Sequence, residues 1–159
     1  WMKHGVYPVK LLRLFRHGAA RCEQRHMDEH MELSRGRAVE FEHDFVDENL
    51  NGLGWWAHKH VDYSARELAD LEDILSSAAA DSGINGQAER KRAMKERYAR
   101  QPLFWRSFAY FCYRYFLKLG FLDGREGFLW HFMQGWWYRT LVDARQFEKQ
   151  KKGSGKTAR

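Results

Sequence analysis

The pattern of hydrophobic and polar residues divides the chain into an early part with short apolar runs and a later part with helical spacing. Residues 6–16 form a mostly apolar run, which is typical of a buried strand. A second strand is predicted at residues 38–41, where Val39 and Phe41 alternate with glutamates. The polar stretch 21–32 between these runs has no clear period. The early part therefore predicts one or two strands.

The pattern becomes helical after Asp47. Apolar side chains recur at spacings of three and four over residues 50–60, although two glycines interrupt this segment. Ser64 followed three residues later by Glu67 is a capping-box pattern, which predicts that a helix starts there. This helix is expected to fade near Ala80, where turn residues begin.

Two further helices are predicted in the last third of the chain. Pro102 suits the first turn of a helix that runs to Lys118, and Gly120 suits its C-terminal stop. Asp123 with Glu126 repeats the N-cap pattern and predicts the start of the last helix. The later part of the chain is therefore expected to be rich in helix.

Composition narrows the class of protein. The chain has 159 residues, and its seven Trp, seven Tyr and eleven Phe exclude a disordered protein. Two cysteines cannot form a disulfide scaffold, so a reducing compartment is expected. The longest apolar stretch, residues 103–119, contains three basic residues, which argues against a transmembrane helix. No signal peptide is predicted at the N-terminus.

Residues 26–30 form the densest polar cluster and allow three interpretations. His26, Glu29 and His30 match the H-x-x-E-H pattern of inverted zinc peptidases, but a third ligand and a periodic helix around them are not visible. Alternatively, Asp28 or Glu29 is a general base that takes a proton from an incoming hydroxyl, with Arg25 close by to hold negative charge. The third interpretation is a solvated acidic patch.

Aromatic residues dominate two late segments. Eight of the 17 residues from 103 to 119 are aromatic and fall on every side of a helical wheel, interleaved with Arg and Lys. Such a helix can lie in a bilayer interface, or it can pack against the rest of a larger protein. Nucleic acid is a weaker candidate partner because no nucleic-acid-reading motif is visible. The predicted membrane-interfacial side chains are Trp105, Arg106, Arg114, Trp130, Trp136 and Trp137.

An ordered series of segments covers most of residues 5–148. The segments are Gly5 to Pro8, Leu12 to Arg16, Ala20 to Arg25, Met27 to His30, Asp47 to Asn51, Trp55 and Trp56, Lys59 and His60, Tyr63, Arg66 and Glu67, and Gly120 to Gly124 with Gly127. In their order, rather than in any single one of them, these segments resemble the later part of bacterial family-2 glycosyltransferases that build capsule, colanic-acid-like polysaccharide or lipopolysaccharide core.

The resemblance implies an inverting GT-A type transferase that moves a sugar from a nucleotide-sugar donor to a glycan acceptor, commonly a lipid-linked one. It implies that Asp28 or Glu29 is the catalytic base and that Lys59 and His60 lie in a substrate-binding segment, with His30 beside the base. The implied cofactor is a divalent metal, Mg²⁺ or Mn²⁺, held by a D-x-D motif. No D-x-D occurs in this sequence, so the donor-binding half is expected to be absent and the chain alone inactive.

Arg13, Arg16 and Arg25 are candidate contacts for a diphosphate or an acceptor on charge grounds alone. The predicted fold class is α/β: the C-terminal part of a GT-A domain, with a few early strands followed by a helix-rich region. We expect residues 1–62 to carry the base segment, 63–148 to form aromatic helices and 149–159 to form a flexible basic tail. The predicted location is the inner face of the cell membrane. The alternative function is a non-catalytic helical module that docks on a membrane or a partner protein.

Overall fold

The structure is a computed structural model, and it describes residues 2–6, 9–22, 31–46, 48–77 and 87–156. Within these residues the protein is mostly helical, with one two-stranded antiparallel sheet that precedes all of the helices. The expected order, a few early strands followed by helices, is therefore confirmed.

The sheet consists of β1 (Ala20–Cys22) and β2 (Met31–Leu33), with Ala20 opposite Leu33 and Cys22 opposite Met31. It forms inside the polar stretch that showed no strand period. The two strands predicted from hydrophobicity are wrong: residues 9–16, the described part of the first, and residues 38–41 belong to no sheet. The Lys10 ammonium pairs with Glu40 at 2.6 Å, so the two segments lie close together, but among the described residues no ladder of backbone hydrogen bonds joins them, and a strand needs one.

Helix α1 (Leu53–Ser77) is one continuous helix, not two. The capping-box prediction at Ser64 is wrong, because Ser64 lies in the middle of α1, fully buried, and its hydroxyl donates to the Val61 carbonyl at 2.6 Å. Glu67 is also buried and lies 3.1 Å from the Lys95 ammonium. The spacing that suggested a cap therefore marks the face of α1 that packs inside the protein.

Helix α2 (Gln87–Ala99) packs against α1. Lys95 links the two helices, because its ammonium lies 2.6 Å from Asp70 as well as near Glu67. The buried apolar core lies where α1, the end of α2 and the last helix meet. Its buried members are Leu71, Ala99, Tyr138 and Val142, with Tyr63, Leu68, Leu75 and Trp137 packed around them.

The rest of the protein is a helical hairpin. Its first arm is α3 (Trp105–Cys112), continued by a π-helical segment, Tyr113–Leu117. Its second arm is α4 (Gly124–Trp130), a second π-helical segment, His131–Trp137, and α5 (Tyr138–Lys156), which follow one another without a break. A short 3₁₀ turn, Gly120–Asp123, joins the arms.

Helix α5 packs along α1, and the two helices run in the same direction. Trp56 contacts Trp137 at one end of the interface, and Lys149 pairs with Glu72 at 2.7 Å towards the other. Between them the Arg145 guanidinium donates to the Ser64 hydroxyl at 2.6 Å. Helix α5 extends into the predicted basic tail as far as Lys156.

The two helix boundaries beside the hairpin turn were predicted at nearly the right residues but for the wrong reasons. Leu119, rather than Gly120, has the left-handed conformation that ends the first arm, with φ 60°. The Asp123 carboxylate does not cap α4; it accepts hydrogen bonds from the distant residues Lys3 and His4. Within the described ranges, no helix combines the length and apolar character needed to cross a bilayer.

Candidate functional site

Both candidate bases lie outside the described residues. Asp28 and Glu29, together with Arg25 and His30, belong to residues 23–30, which connect β1 to β2. Their role as base and substrate contacts stays a prediction, and so does the alternative zinc motif. Among the described side chains, no group of three or more His, Cys, Asp or Glu has the arrangement of a metal site.

The two early arginines proposed for anion contacts are exposed. Arg13 and Arg16 lie in residues 9–16, which form no helix and belong to no sheet. The Arg16 carbonyl accepts a hydrogen bond from the Ala19 amide at 2.9 Å, which starts the turn into β1. Solvent access leaves both guanidinium groups open to an anionic ligand.

Lys59 and His60 are brought together with aromatic rings near the start of α1. Residues 55, 59 and 63 are spaced by four, so their side chains lie on one face of the helix. The Lys59 ammonium lies 5.0 Å from the Trp55 ring centre and 5.1 Å from the Tyr63 ring centre. His60 stacks on Trp56 with 3.5 Å between ring centres. We call Trp55, Trp56, Lys59, His60 and Tyr63 the α1 aromatic cluster.

Asp62, three positions after Lys59, is exposed, whereas the next three acids of α1 bind lysines of other helices. Glu67 and Asp70 bind Lys95, and Glu72 binds Lys149. In the described part of the chain no carboxylate forms an ion pair with Lys59. Its positive charge is held by the faces of two rings instead, which is a favourable but weaker interaction than an ion pair with an anion. The cluster therefore has the chemistry to receive an anionic group.

His60 is fixed in orientation by the helix and by the neighbouring arm of the hairpin. Its Nδ1 lies 2.9 Å from the Trp56 carbonyl oxygen, which can only accept, so Nδ1 donates the hydrogen bond. The Tyr138 ring meets its edge at 5.1 Å. Burial lowers the pKa of His60, and the Lys59 charge lowers it further, against hydrogen bonds to Trp56 and Gln134 that raise it. His60 is therefore held neutral near pH 7.

A second constellation joins the N-terminus of the chain to the hairpin turn. The Asp123 carboxylate accepts hydrogen bonds from the Lys3 and His4 amides at 2.9 and 2.8 Å and from His4 Nδ1 at 2.6 Å. Gly5 and Gly120 both lie against the ring of His131, where a side chain on either glycine would overlap that ring. We call Lys3, His4, Gly5, Gly120, Asp123 and His131 the N-terminal junction.

His131 is the centre of this junction and is fully buried. Its ring nitrogens make no hydrogen bond of ordinary geometry among the described residues. Burial lowers the pKa of His131, and the neighbouring Arg114 charge adds to this effect, while the His4 backbone and Asp123 oppose it. Burial alone would raise the pKa of Asp123, but the hydrogen bonds from His4 and Lys3 hold it below its usual range.

Sequence reasoning assigned no role to His131, used Gly120 as a helix stop, and otherwise named Gly5 and Gly120 only within the segments of the family resemblance. The available signal was the dense spacing of Gly120, Gly124 and Gly127 around an aspartate, which indicates close packing rather than simple turn formation. The partner of this segment, residues 3–5, is more than 110 positions away in the sequence. No local pattern could connect the two.

The predicted membrane-interfacial tryptophans have two different environments. Trp105 is exposed, whereas Trp130, Trp136 and Trp137 are half-buried. Trp136 packs on Phe111, with 5.5 Å between ring centres. These tryptophans pack mainly within the hairpin and against α1.

The two predicted interfacial arginines lie further inside. Arg114 is half-buried and lies over the rings of Tyr110 and Trp130. Arg106 is 2% exposed, and its guanidinium lies 2.6 Å from the Asp143 carboxylate while donating to the Ala99 carbonyl. Its place in the interior gives it no access to a membrane surface, so we remove Arg106 from the membrane-facing set.

Comparisons of the chain with protein-family models, with curated proteins and with solved structures found no match.

Proposed function

We propose that this chain is the C-terminal part of an inverting family-2 glycosyltransferase of GT-A type. The whole enzyme would transfer a sugar from a nucleotide-sugar donor to a hydroxyl of a lipid-linked glycan in bacterial surface-polysaccharide synthesis. The observation that carries the proposal is the α1 aromatic cluster. Lys59 and His60, which the motif series assigns to the substrate site, lie side by side among aromatic rings, and no described carboxylate pairs with Lys59.

The cluster suits the two chemical features of such a substrate. Aromatic faces, of which Trp55 is 45% exposed, can pack against the C–H faces of a sugar ring. The Lys59 ammonium can bind a diphosphate. A cation that lies over neutral rings attracts a diphosphate more strongly than a cation whose charge is already paired with a carboxylate. The diphosphate belongs to the donor or to the lipid carrier of the acceptor.

In the proposed reaction the acceptor hydroxyl oxygen attacks the anomeric carbon of the donor sugar. The bond from that carbon to the diphosphate oxygen breaks, and the nucleoside diphosphate leaves. The carboxylate of Asp28 or Glu29 takes the hydroxyl proton as general base. A divalent metal, Mg²⁺ or Mn²⁺, would neutralise the leaving diphosphate and would be held by a D-x-D motif outside this chain.

The exposed early region supports the proposal that more polypeptide completes the domain. Apolar side chains are more than half exposed at Leu14, Val39, Phe41, Phe45 and Val46. Soluble proteins seldom expose apolar residues in such a series without a partner surface. The strands of a missing N-terminal half would supply both the apolar cover and the backbone partners that residues 9–16 lack here.

Sugar transfer by the parent protein tests the proposal. We expect the protein encoded by the complete reading frame to transfer sugar from a labelled nucleotide-sugar panel to polyprenyl-diphosphate glycans. Asp28→Asn or Glu29→Gln should abolish turnover while leaving donor binding intact. Absence of transfer across the panel, combined with absence of donor binding, would refute the enzyme hypothesis.

The α1 aromatic cluster has its own test in the same assay. Lys59→Met should lower kcat/KM by about tenfold to a hundredfold, the usual cost of losing a charge-assisted contact. The matched control is Lys151→Met, which removes an equally long cation from the exposed end of α5. Equal activity of the two variants would remove Lys59 from the substrate site.

The gene upstream of Trp1 gives an independent check. We expect the reading frame to continue in phase into a strand-rich region that contains a D-x-D motif. A start codon directly before Trp1 would instead favour the second candidate function, a non-catalytic helical module that docks on a membrane or a partner protein. The exposed apolar side chains of the hairpin turn favour that candidate, and they also agree with an enzyme that lies peripherally on the inner face of the membrane.

A further inference from the structure

The most exposed apolar segment of the helical region lies where the two hairpin arms join. Its side chains are Phe116, Leu117, Leu119, Phe121 and Leu122, with exposures of 53, 75, 46, 45 and 56%. We call these five residues, with Lys118 and Arg125, the hairpin tip. None of the five was among the residues predicted to touch a membrane.

We propose that the hairpin tip inserts into the headgroup region of an anionic lipid bilayer. The inference deepens the peripheral membrane association included in the proposed function and rests on it. It assigns the contact to a surface different from the tryptophans and arginines of the helix bodies.

The backbone of the tip suits insertion into an apolar medium. The Lys118 amide donates to the Tyr113 carbonyl at 2.9 Å, and the Leu119 amide donates to the Phe116 carbonyl at 3.2 Å. The Leu122 amide donates to the Leu119 carbonyl at 3.0 Å. A segment in contact with acyl chains must satisfy its backbone groups internally, whereas an ordinary surface loop leaves them to water. These internal bonds favour lipid over a partner that would pair with a free backbone edge.

The charges of the tip favour anionic lipid. Lys118 lies between Leu117 and Leu119, and Arg125 follows the turn at the start of α4; both are exposed. The carboxylate inside the turn, Asp123, is 4% exposed and faces inward to His4. The nearest exposed acid, Glu126, lies beyond Arg125 on α4. Apolar insertion and attraction of Lys and Arg to anionic headgroups then act together.

The conformation of Leu119 is a further sign that an apolar side chain is kept at this position. Leu119 has φ 60° and ψ 26°, a left-handed conformation that costs an ordinary residue about 1 kcal/mol and that Gly or Asn adopts more easily. The next residue, Gly120, is fixed against the His131 ring, so the left-handed position falls on Leu119 and not on a glycine. The chain thus holds a leucine in a strained turn with its side chain exposed.

Vesicle flotation of the 159-residue chain tests the assignment. At low salt the unchanged chain should float with vesicles that contain phosphatidylglycerol and should float weakly with pure phosphatidylcholine. The double variant Leu117→Asp with Leu122→Asp should lower the partition coefficient by at least about tenfold. The control is Met94→Asp on α2, where an apolar side chain of similar exposure, 67%, is replaced in the same way; it should float like the unchanged chain.

The outcomes separate the hairpin tip from the wider proposal. If the unchanged chain does not float, membrane association fails altogether, which overturns this inference and the peripheral location but not sugar transfer. If it floats and the double variant floats equally, only the assignment to the tip is overturned. If sedimentation instead shows that the unchanged chain is a dimer and the double variant is a monomer, the tip binds a second copy and the lipid assignment is wrong.

Folding of the variants is checked by circular dichroism. Lys118→Glu with Arg125→Glu gives a second measure that leaves the apolar side chains in place. This variant should lose the preference for phosphatidylglycerol over phosphatidylcholine. Retention of that preference would contradict the charge contribution of the hairpin tip.

Discussion

The region before α1 and the helical region after it contain similar fractions of apolar residue types, but they differ in how many of these side chains are buried. In the described part of residues 53–156 a set of apolar side chains meets between helices, and even polar groups such as Ser64 and Asp143 are fully buried with partners. In residues 9–46, among the described positions, only Ala19 is buried. Hydrophobic residues alone therefore do not produce a core, because burial requires a second surface to pack against.

The two regions meet at the N-terminal junction. Lys3 and His4 donate to Asp123, and Gly5 packs on His131. The junction fixes the start of the chain to the hairpin turn while residues 9–16 pass along the outside.

The largest expected difference between the regions is in backbone hydrogen exchange. In the isolated chain, amides of residues 9–16 should exchange on the order of a thousandfold faster than those in the middle of α1 and α5, because exchange there needs no opening of helical hydrogen bonds. Mass spectrometry of peptic fragments measures this. Equal protection of both regions would contradict the comparison. Slow exchange of residues 9–16 only in the parent protein would show that additional polypeptide protects them.

Removal of a buried ion-pair partner should destabilise the helical region strongly. Asp143→Ala leaves the Arg106 guanidinium uncompensated in the interior, and the free energy of unfolding should fall by about 3–5 kcal/mol. The control is Glu40→Ala in the early region, where the pair with Lys10 is 66% exposed on both sides and the loss should be less than about 1 kcal/mol. Urea unfolding followed by circular dichroism gives both values; similar losses would show that the two regions do not differ in this way.

Substitution of a junction glycine should have an intermediate effect. Gly120→Ala places a methyl group against the His131 ring and should cost about 1–3 kcal/mol of stability. Gly54→Ala is the matched change in an open part of α1, with no atom within 4 Å of the new methyl group, and should be stabilising by up to about 1 kcal/mol. The junction packing would be in doubt if both variants changed the urea midpoint in the same direction.

The smallest expected effect is a dependence of stability on pH through His131. Because the pKa of this group is lowered in the folded state, the unfolded chain takes up the proton first as the pH falls. Stability should therefore decline below about pH 6.5, the ordinary histidine value, with a slope of at most about 1.4 kcal/mol per pH unit for this group.

The comparison of urea unfolding at pH 8 and pH 5.5 isolates this contribution when it is repeated with His131→Gln. The variant should show a weaker pH dependence than the unchanged chain. His60→Gln controls for the other histidine with a lowered pKa. An unchanged pH dependence in His131→Gln would show that the buried ring does not titrate with unfolding.

Sequence reasoning succeeded where a local pattern is enough. Pro102 predicted a helix start within a few residues of the observed α3. Asp123 predicted the position where α4 starts, although its carboxylate pairs with His4 and does not cap the helix. Lys59 and His60 were named as substrate contacts from the family resemblance and stay a prediction, whereas the position of Lys59 between Trp55 and Tyr63 follows from the helical spacing of four. Side chains four positions apart in a helix lie next to each other regardless of the rest of the fold.

Sequence reasoning failed where the partner is distant. Ser64 and Glu67 match a cap, but tertiary contacts with Arg145 and Lys95 place them in the middle of a buried helix face. The apolar run from Val9 to Phe15 matches a strand, but no described neighbour pairs with it. Arg106 looks like an interfacial arginine until Asp143, 37 positions later, is brought against it.

The amino-acid sequence by itself determined that this protein is helix-rich after its first third, that its helices carry aromatic and basic side chains, and where several of them begin, because these properties depend on neighbours within one or two turns. The tertiary structure alone decided which charged groups are buried in pairs, which glycines must stay small beside His131, and which leucines of the hairpin tip face outward. Those outcomes depend on contacts between residues that the chain separates by tens of positions, and only the packed fold brings them together.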